Sequence, residues 1–147
     1  MLVVFLMYLL FNVRGPEALM AAVLTVGLST VPDLDLEFML RHRGVTHSFA
    51  AGAVVGFVVG AASSLTLLGF LPGFLAGFGG VALHLLGDLL TYTPLRPLWP
   101  LSRRRVSLKL FKSNNRAVNH AFLLLGAAVA GLYLVHSYAP QLLGGWG

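Results

Sequence analysis

The sequence contains no cysteine and very little charge. The lack of cysteine excludes disulfide bonds and thiolate metal ligands. Only 10% of the 147 residues are charged, whereas soluble domains carry about a quarter. The chain therefore cannot cover a water-facing surface of normal size, which excludes a soluble enzyme, a disordered tail and the usual kind of DNA-binding module. We expect no nucleic-acid partner.

In place of charge, the chain has hydrophobic residues, which make up 57% of it and give a mean hydropathy of +0.84. Its length suits one domain. We therefore expect a single integral membrane domain over residues 1–147, located in the cell membrane and surrounded by lipids. The fold class that this composition predicts is all-α, a polytopic membrane helical bundle.

Three membrane spans are clear in the second part of the chain. The longest stretch without acidic residues, Lys, Arg or His runs from Ser48 to Leu83. At a rise of about 1.5 Å per residue it is too long for a single crossing of a hydrocarbon core about 30 Å thick. Because Pro72 and its flanking glycines interrupt it, we predict a helical hairpin over about 47–68 and 73–91. A third span is predicted over 117–137.

The N-terminal part contains two shorter apolar runs, over residues 2–13 and 17–31. Each is short for a full crossing, so we expect one or two short helices that are tilted, that penetrate the membrane partway or that pack inside the bundle. A cleaved signal peptide over 1–13 is the alternative. It is disfavoured because the run lacks a basic start and a small-x-small cleavage site.

Glycine recurs along both helices of the predicted hairpin. It stands at every fourth position in the first helix and at nearly that spacing in the second: Gly52, Gly56 and Gly60, then Gly73, Gly77 and Gly80. A face of small residues lets helix backbones approach closely in a membrane. We expect these helices to pack tightly on each other or on neighbours.

Basic residues predict the orientation. The loop over 92–116 carries seven of them, and the loop over 32–46 carries Arg41 and Arg43. The hairpin begins and ends on one side of the membrane, so both loops share that side. The positive-inside rule makes it the cytoplasmic face.

Histidines and acids cluster at the same face. Five fall within fifteen residues, namely Asp33, Asp35, Glu37, His42 and His47. His84 and Asp88 are four residues apart, which places them on one face of a helix. The hairpin would bring that face towards His47. Imidazole and carboxylate groups that converge near a membrane are typical ligands of zinc or a harder divalent ion.

Each group also has a purely structural interpretation. Asp33 and Asp35 could cap a helix, and His42 could belong to a solvated basic turn. His47 could simply open a helix that Thr46 caps, and the pair of His84 and Asp88 could form a buried hydrogen bond. The conjunction favours a metal site, because three separate segments would otherwise have placed such groups at one face by accident.

Three segments resemble the signatures of a known family. They are VPDLD (31–35), HRGVTHS (42–48) and HLLGDLLT (84–91), which are similar to P-D-x-D, H-R-G-x-T-H-S and H-x-x-x-D-x-x-T in the YdjM-like family. Its members are described as LexA-regulated, membrane-bound metal-dependent hydrolases. The resemblance covers residues 18–110.

The resemblance implies a metal site formed by six residues: Asp33, Asp35, His42, His47, His84 and Asp88. Among them we predict His42, His47, His84 and Asp88 as metal ligands, and Asp33 or Asp35 as the catalytic base or a further ligand. Family members usually carry another histidine before the first apolar run. This chain has none before His42, so either its start is displaced or its ligand set is smaller.

The function predicted from these features is a zinc-dependent hydrolase at the cytoplasmic membrane interface, acting on a phosphoester of a lipid or related amphiphile. Arg43, Arg103 and Arg104 are candidate phosphate-binding residues, because guanidinium groups suit bidentate oxyanion contacts. The alternative for the run of arginines at 103–105 is an anchor on anionic lipid.

Two other classes of function compete with the hydrolase. The first is a non-catalytic membrane protein whose metal or His/Asp cluster only ties the helix ends together. The second is an ion carrier, which is disfavoured because Ser48 to Leu83 contains no ionisable Asp, Glu, His, Lys or Arg.

Overall fold

The computed structural model describes residues 15–33 and 45–143. This part of the chain forms four α-helices: α1 (Gly15–Leu28), α2 (Phe49–Ser63), α3 (Phe70–Leu89) and α4 (Arg116–Leu143). A short 3-10 helix, Val31–Asp33, follows α1. No strand occurs in the described residues, where only isolated β-bridges are found. The all-α helical bundle expected from composition is confirmed. The predicted apolar run over 2–13 lies outside the described residues.

The hairpin α2–α3 has a longer connection than the sequence suggested. The first helix ends at Ser63, although hydrophobicity continues to residue 68. Ser64 Oγ donates to the carbonyl of Ala61, and Thr66 Oγ1 donates to that of Ser63, so hydroxyl groups take over backbone acceptors where the helix stops. Gly69 then adopts a φ of 76°, which glycine tolerates without steric cost.

The second helix of the hairpin begins at Phe70, three residues before the predicted start. Pro72 therefore lies inside its first turn. The missing N–H of Pro72 costs nothing there, because the first N–H groups of a helix have no partner within the helix.

The glycine faces explain how closely the helices approach. Gly56 and Gly77 face each other across the hairpin, and a Cβ on Gly77 would lie 3.0 Å from the Cα of Gly56. On α3, Gly80 faces α1 instead: a Cβ there would lie 2.5 Å from the carbonyl oxygen of Thr25. The close packing predicted from glycine spacing is present, and α3 is the central helix that contacts both α1 and α2.

Small apolar residues fill the space between α1 and α3. Ala18, Ala21 and Ala22 pack with Ala76 and Leu68. A second cluster, formed by Val81, Leu85 and Leu95, lies at the opposite end of α3, where the loop after α3 folds back over the bundle.

Within residues 15–33 and 45–143, three segments are long and apolar enough to cross a membrane: Gly15–Asp33, Phe70–Leu89 and Arg116–Tyr133. The shorter apolar helix α2 has 15 residues, or about 22 Å at the α-helical rise. Its outward side chains, such as Val54, Phe57 and Val58, are more than 60% exposed. These apolar exposed surfaces suit contact with lipid.

The loop between α3 and α4 is held against the bundle by backbone hydrogen bonds. Leu95 and Val106 pair as an isolated bridge, and Leu108 N donates to the carbonyl of Leu89. At the start of α2, Phe49 N donates to the carbonyl of Pro97 at 2.9 Å. This loop, over residues 90–115, therefore covers the end of the bundle at which α2 begins and α3 ends. We call it the covering loop.

Candidate metal centre

His47 lies two residues before α2, in the segment that leads into the helix. The side chain of Ser48, not Thr46, caps α2 by accepting a hydrogen bond from Ala51 N at 3.1 Å. Ser48 Oγ also donates to the carbonyl of Val45 at 2.7 Å. These two bonds fix the backbone on either side of His47, whose side chain is completely buried.

His84 and Asp88 lie one turn apart on α3, as their spacing predicted. Nε2 of His84 is 3.7 Å from Oδ2 of Asp88. The α2–α3 packing brings His47 alongside them: its Nε2 is 3.5 Å from the same Asp88 oxygen, and the two imidazole rings are 5.5 Å apart at an interplanar angle of 66°.

Asp33 reaches the same point from the end of α1. Its Oδ1 lies 3.4 Å from Nε2 of His84 and 3.6 Å from Nε2 of His47. Its side chain is 46% exposed, compared with 19% for His84 and 14% for Asp88. Among the described residues, the cluster is thus buried on the side of the two histidines and open on the side of Asp33.

These residues offer a metal ion a suitable set of donors. One ligand atom each from Asp33, His47 and His84 lies within 4.8 Å of the others, and Asp88 is next to both histidines. The four His–Asp distances, 3.4–3.7 Å, exceed the about 2.7–3.2 Å typical of N–H···O hydrogen bonds. They are close to the about 3.3–3.6 Å that separates ligand atoms around a tetrahedral zinc ion with bonds of about 2.0–2.2 Å.

A hydroxyl group orients the buried imidazole. Thr46 Oγ1 lies 3.2 Å from Nδ1 of His47, so Nε2 is the nitrogen directed at the carboxylates. Such an outer contact on the second ring nitrogen is usual for metal-binding histidines. Sequence reasoning gave Thr46 only a capping role. Its position directly before His47, in the HRGVTHS segment, was the signal that could have suggested the contact.

The structure gives no account of three predicted site residues, because Asp35, His42 and Arg43 lie outside the described residues. Arg103 and Arg104 are exposed in the loop between α3 and α4. Neither lines the two cavities described next.

Two cavities flank the cluster. One, of about 240 Å³, is bounded by His84 and Asp88 together with residues of the covering loop and of α4, among them Thr91, Ser113 and Asn119. The other, of about 460 Å³, is almost entirely apolar and adjoins the segment that carries His47. Sequence reasoning had assigned no role to Ser113 or Asn119, because only the folded loop brings them towards α3. Thr91 belonged to the H-x-x-x-D-x-x-T signature but was given no role of its own.

Comparison with known proteins gives a family and no closer relative. The chain matches no curated protein and no solved structure. The sequence profile of the YdjM inner membrane protein family matches residues 1–143, which is nearly the whole chain. This agrees with the resemblance of the three motifs and with the membrane-spanning helices. The chain belongs to the YdjM inner membrane protein family.

Proposed function

We propose that this protein is a metal-dependent hydrolase that acts at the cytoplasmic membrane interface on a phosphoester of a lipid or related amphiphile. The observation that supports it is the convergence of two imidazole Nε2 atoms and two carboxylates at the ends of three different segments. Nε2 of His84 is buried and makes no hydrogen bond within the described residues. A buried nitrogen in that situation is costly unless something binds it.

Asp33, His47 and His84 would hold the ion, and zinc suits this mixture of nitrogen and oxygen donors best. Asp88, which the sequence predicted as a ligand, would lie beside both histidines. Asp33 thus becomes a ligand in this proposal, while Asp35 stays the candidate base. A bound divalent ion would supply Lewis acidity and a nucleophile at neutral pH. The protein's own contribution is to hold the ligands in place through α1, α2 and α3 and to keep one side of the cluster open.

The openness of the cluster favours a catalytic role over a structural one. Structural zinc sites are closed by four protein ligands, whereas catalytic sites keep a position for water or substrate. The exposed side of Asp33 and the cavity beside His84 and Asp88 leave such room. In that cavity the side chains of Ser113 and Asn119 carry hydrogen-bond donors suited to phosphate oxygens.

The membrane orientation follows from charge. The covering loop contains Arg96, Arg103, Arg104, Arg105, Lys109 and Lys112, and basic loops remain on the cytoplasmic side. Its cations would also attract an anionic head group towards the cluster. We propose that Arg103 and Arg104 act in this long-range way, because both are exposed and outside the flanking cavities.

Metal analysis of the purified protein in detergent tests the proposal directly. We expect bound zinc in the wild type, a loss in His47→Ala and in His84→Ala, and little further loss in the double variant, because ligands of one ion act as a unit. His136→Ala, in the distal half of α4, is the matched control and should keep its metal. The same proteins are then assayed for release of phosphate or an alcohol from phospholipids.

Full metal occupancy in His84→Ala, or an equal loss in His136→Ala, would contradict the metal site. Bound metal without hydrolysis of any phosphoester would instead favour the alternative function, a non-catalytic membrane protein with a structural metal.

A further inference from the structure

The apolar cavity beside His47 has the character of a binding site for hydrocarbon. Its volume is about 460 Å³, and its walls include Val31, Val45, Ala51, Val54, Trp99 and Pro100. Among the lining residues, the side chains of Thr46 and Trp99 carry a polar group, a hydroxyl and an indole N–H respectively. Ordered water needs two to four polar partners, so this cavity is poorly suited to hold water. Its volume lies in the range of about 300–1,000 Å³ that is usual for ligand sites.

The four cluster residues do not line this cavity, but two of its lining residues lie next to them. Thr46 precedes His47 directly, and Val31 lies two residues before Asp33 in the same 3-10 helix. Thr46 Oγ1 also lies 3.2 Å from Nδ1 of His47. A molecule that fills the cavity would therefore have one end near the segments that carry Asp33 and His47.

The opposite side of the cavity faces the surroundings of α2. Val45 and Val54 both line it, and they are 52% and 64% exposed. Val54 lies on the apolar helix α2, where an exposed side chain of a membrane protein contacts lipid chains, whereas Val45 lies in the segment before the helix. Hydrocarbon can therefore enter the cavity from the bilayer without crossing water.

The covering loop closes the remaining side. The hydrogen bond from Phe49 N to the carbonyl of Pro97 connects the start of α2 to this loop. Pro97 lies two residues before Trp99. Tryptophan suits such a place because one end of its side chain is apolar and the other tolerates the polar interface.

We propose that this cavity binds one hydrocarbon chain of an amphiphile whose phosphoester lies at the metal cluster. The proposal rests on the proposed function for the identity of the head group. It adds where the hydrocarbon chain binds and which residues select its length. Trp99 and the small side chain of Ala51 are then specificity-determining residues, because they set how much chain fits.

Binding of the chain can be measured without turnover. The protein has two tryptophans, so Trp146→Phe leaves Trp99 as the only one. Phosphatidic acid with bromine atoms on one acyl chain is titrated into this protein in detergent, and the fluorescence of Trp99 is followed. We expect quenching that saturates at one lipid per protein. Quenching that only rises in proportion to the brominated fraction of the micelle would overturn the proposal.

Matched substitutions on α2 locate the effect. Ala51→Phe fills the cavity and should abolish the saturable quenching, whereas Ala53→Phe, at an exposed position on the same helix outside the cavity, should retain it. Ala50→Leu is a smaller filling change at another lining position and decides the matter if Ala51→Phe does not fold. Saturable quenching that survives in the folded filling variants would contradict the assignment.

The outcome is separate from that of the proposed function. Saturable quenching in a protein that binds no metal would support the chain site and refute the hydrolase. Bound metal with phosphoester hydrolysis but only proportional quenching would support the hydrolase and refute the chain site.

Discussion

We expect the contact between Gly80 on α3 and the end of α1 to affect both stability and the proposed metal site. A Cβ at position 80 would lie 2.5 Å from the carbonyl oxygen of Thr25 and 3.1 Å from the backbone N of Ser29. Close C···O contacts in proteins lie at about 3.3–3.6 Å. Gly80→Ala must therefore push α1 away from α3 by roughly 1 Å. Because both atoms belong to the backbone, no side-chain rotation relieves the clash.

Overpacking of this kind costs about 1–3 kcal/mol. It should also reduce metal occupancy, since Asp33 follows the displaced end of α1 and its Oδ1 now lies only 3.4–3.6 Å from the two histidines. We expect Gly80→Ala to lower the midpoint of unfolding in mixed micelles and to lose metal under limiting zinc. The assay combines a denaturing-detergent titration with mass spectrometry of bound metal.

Gly126→Ala on α4 is the control, because nothing lies within 4 Å of its would-be Cβ. That variant should match the wild type or gain slightly, since alanine favours helix more than glycine does. The reasoning is refuted if Gly80→Ala keeps both wild-type stability and wild-type metal occupancy, or if Gly126→Ala is destabilised equally.

Three further predictions concern orientation, the loop arginines and the outer contact of the site. Because the chain has no native cysteine, single cysteines report orientation: Phe70→Cys should react with an impermeant reagent from outside and Arg104→Cys only from the cytoplasm, and the reverse pattern would overturn the topology. Replacing Arg103, Arg104 and Arg105 together by lysine should preserve insertion and hydrolysis, since charge alone is needed for anchoring; a large loss of activity in the inserted protein would instead indicate a bidentate phosphate contact. Thr46→Val should weaken zinc binding about 10- to 100-fold, because it removes the hydroxyl that contacts the second ring nitrogen of His47. Competition with a chelator measures the affinity, and Thr46→Ser should retain it. Unchanged affinity in Thr46→Val would exclude this role of the hydroxyl.

The His/Asp cluster was partly predictable from the sequence, because part of it depends on local geometry. The spacing of His84 and Asp88 fixes their common face on any α-helix, and a hairpin must return α3 to the end at which His47 stands. Asp33 was placed in the same region by its position after an apolar run. The contact of Asp33 Oδ1 with both histidines could not be predicted, because it depends on how closely α1 packs against α3.

Element ends were less readable, because hydrophobicity alone does not mark them. Leu65 and Leu67 extended the predicted helix to residue 68, yet both lie beyond its end and are 89% and 85% exposed. In a membrane protein an exposed leucine can contact lipid. The run of apolar residues can therefore continue in the sequence after the backbone hydrogen bonds of the helix have ended.

The sequence by itself determined the membrane environment, the helical class and the glycine faces, because these follow from composition and from periodicities of one to four residues. Only the tertiary structure decided that Gly80 packs against α1, whereas Gly56 and Gly77 pack against each other between α2 and α3. It also decided that Trp99, in the covering loop, lines one cavity and that Asn119, on α4, lines the other. Such neighbours are remote in the chain, and the close approach of three backbones brings them together.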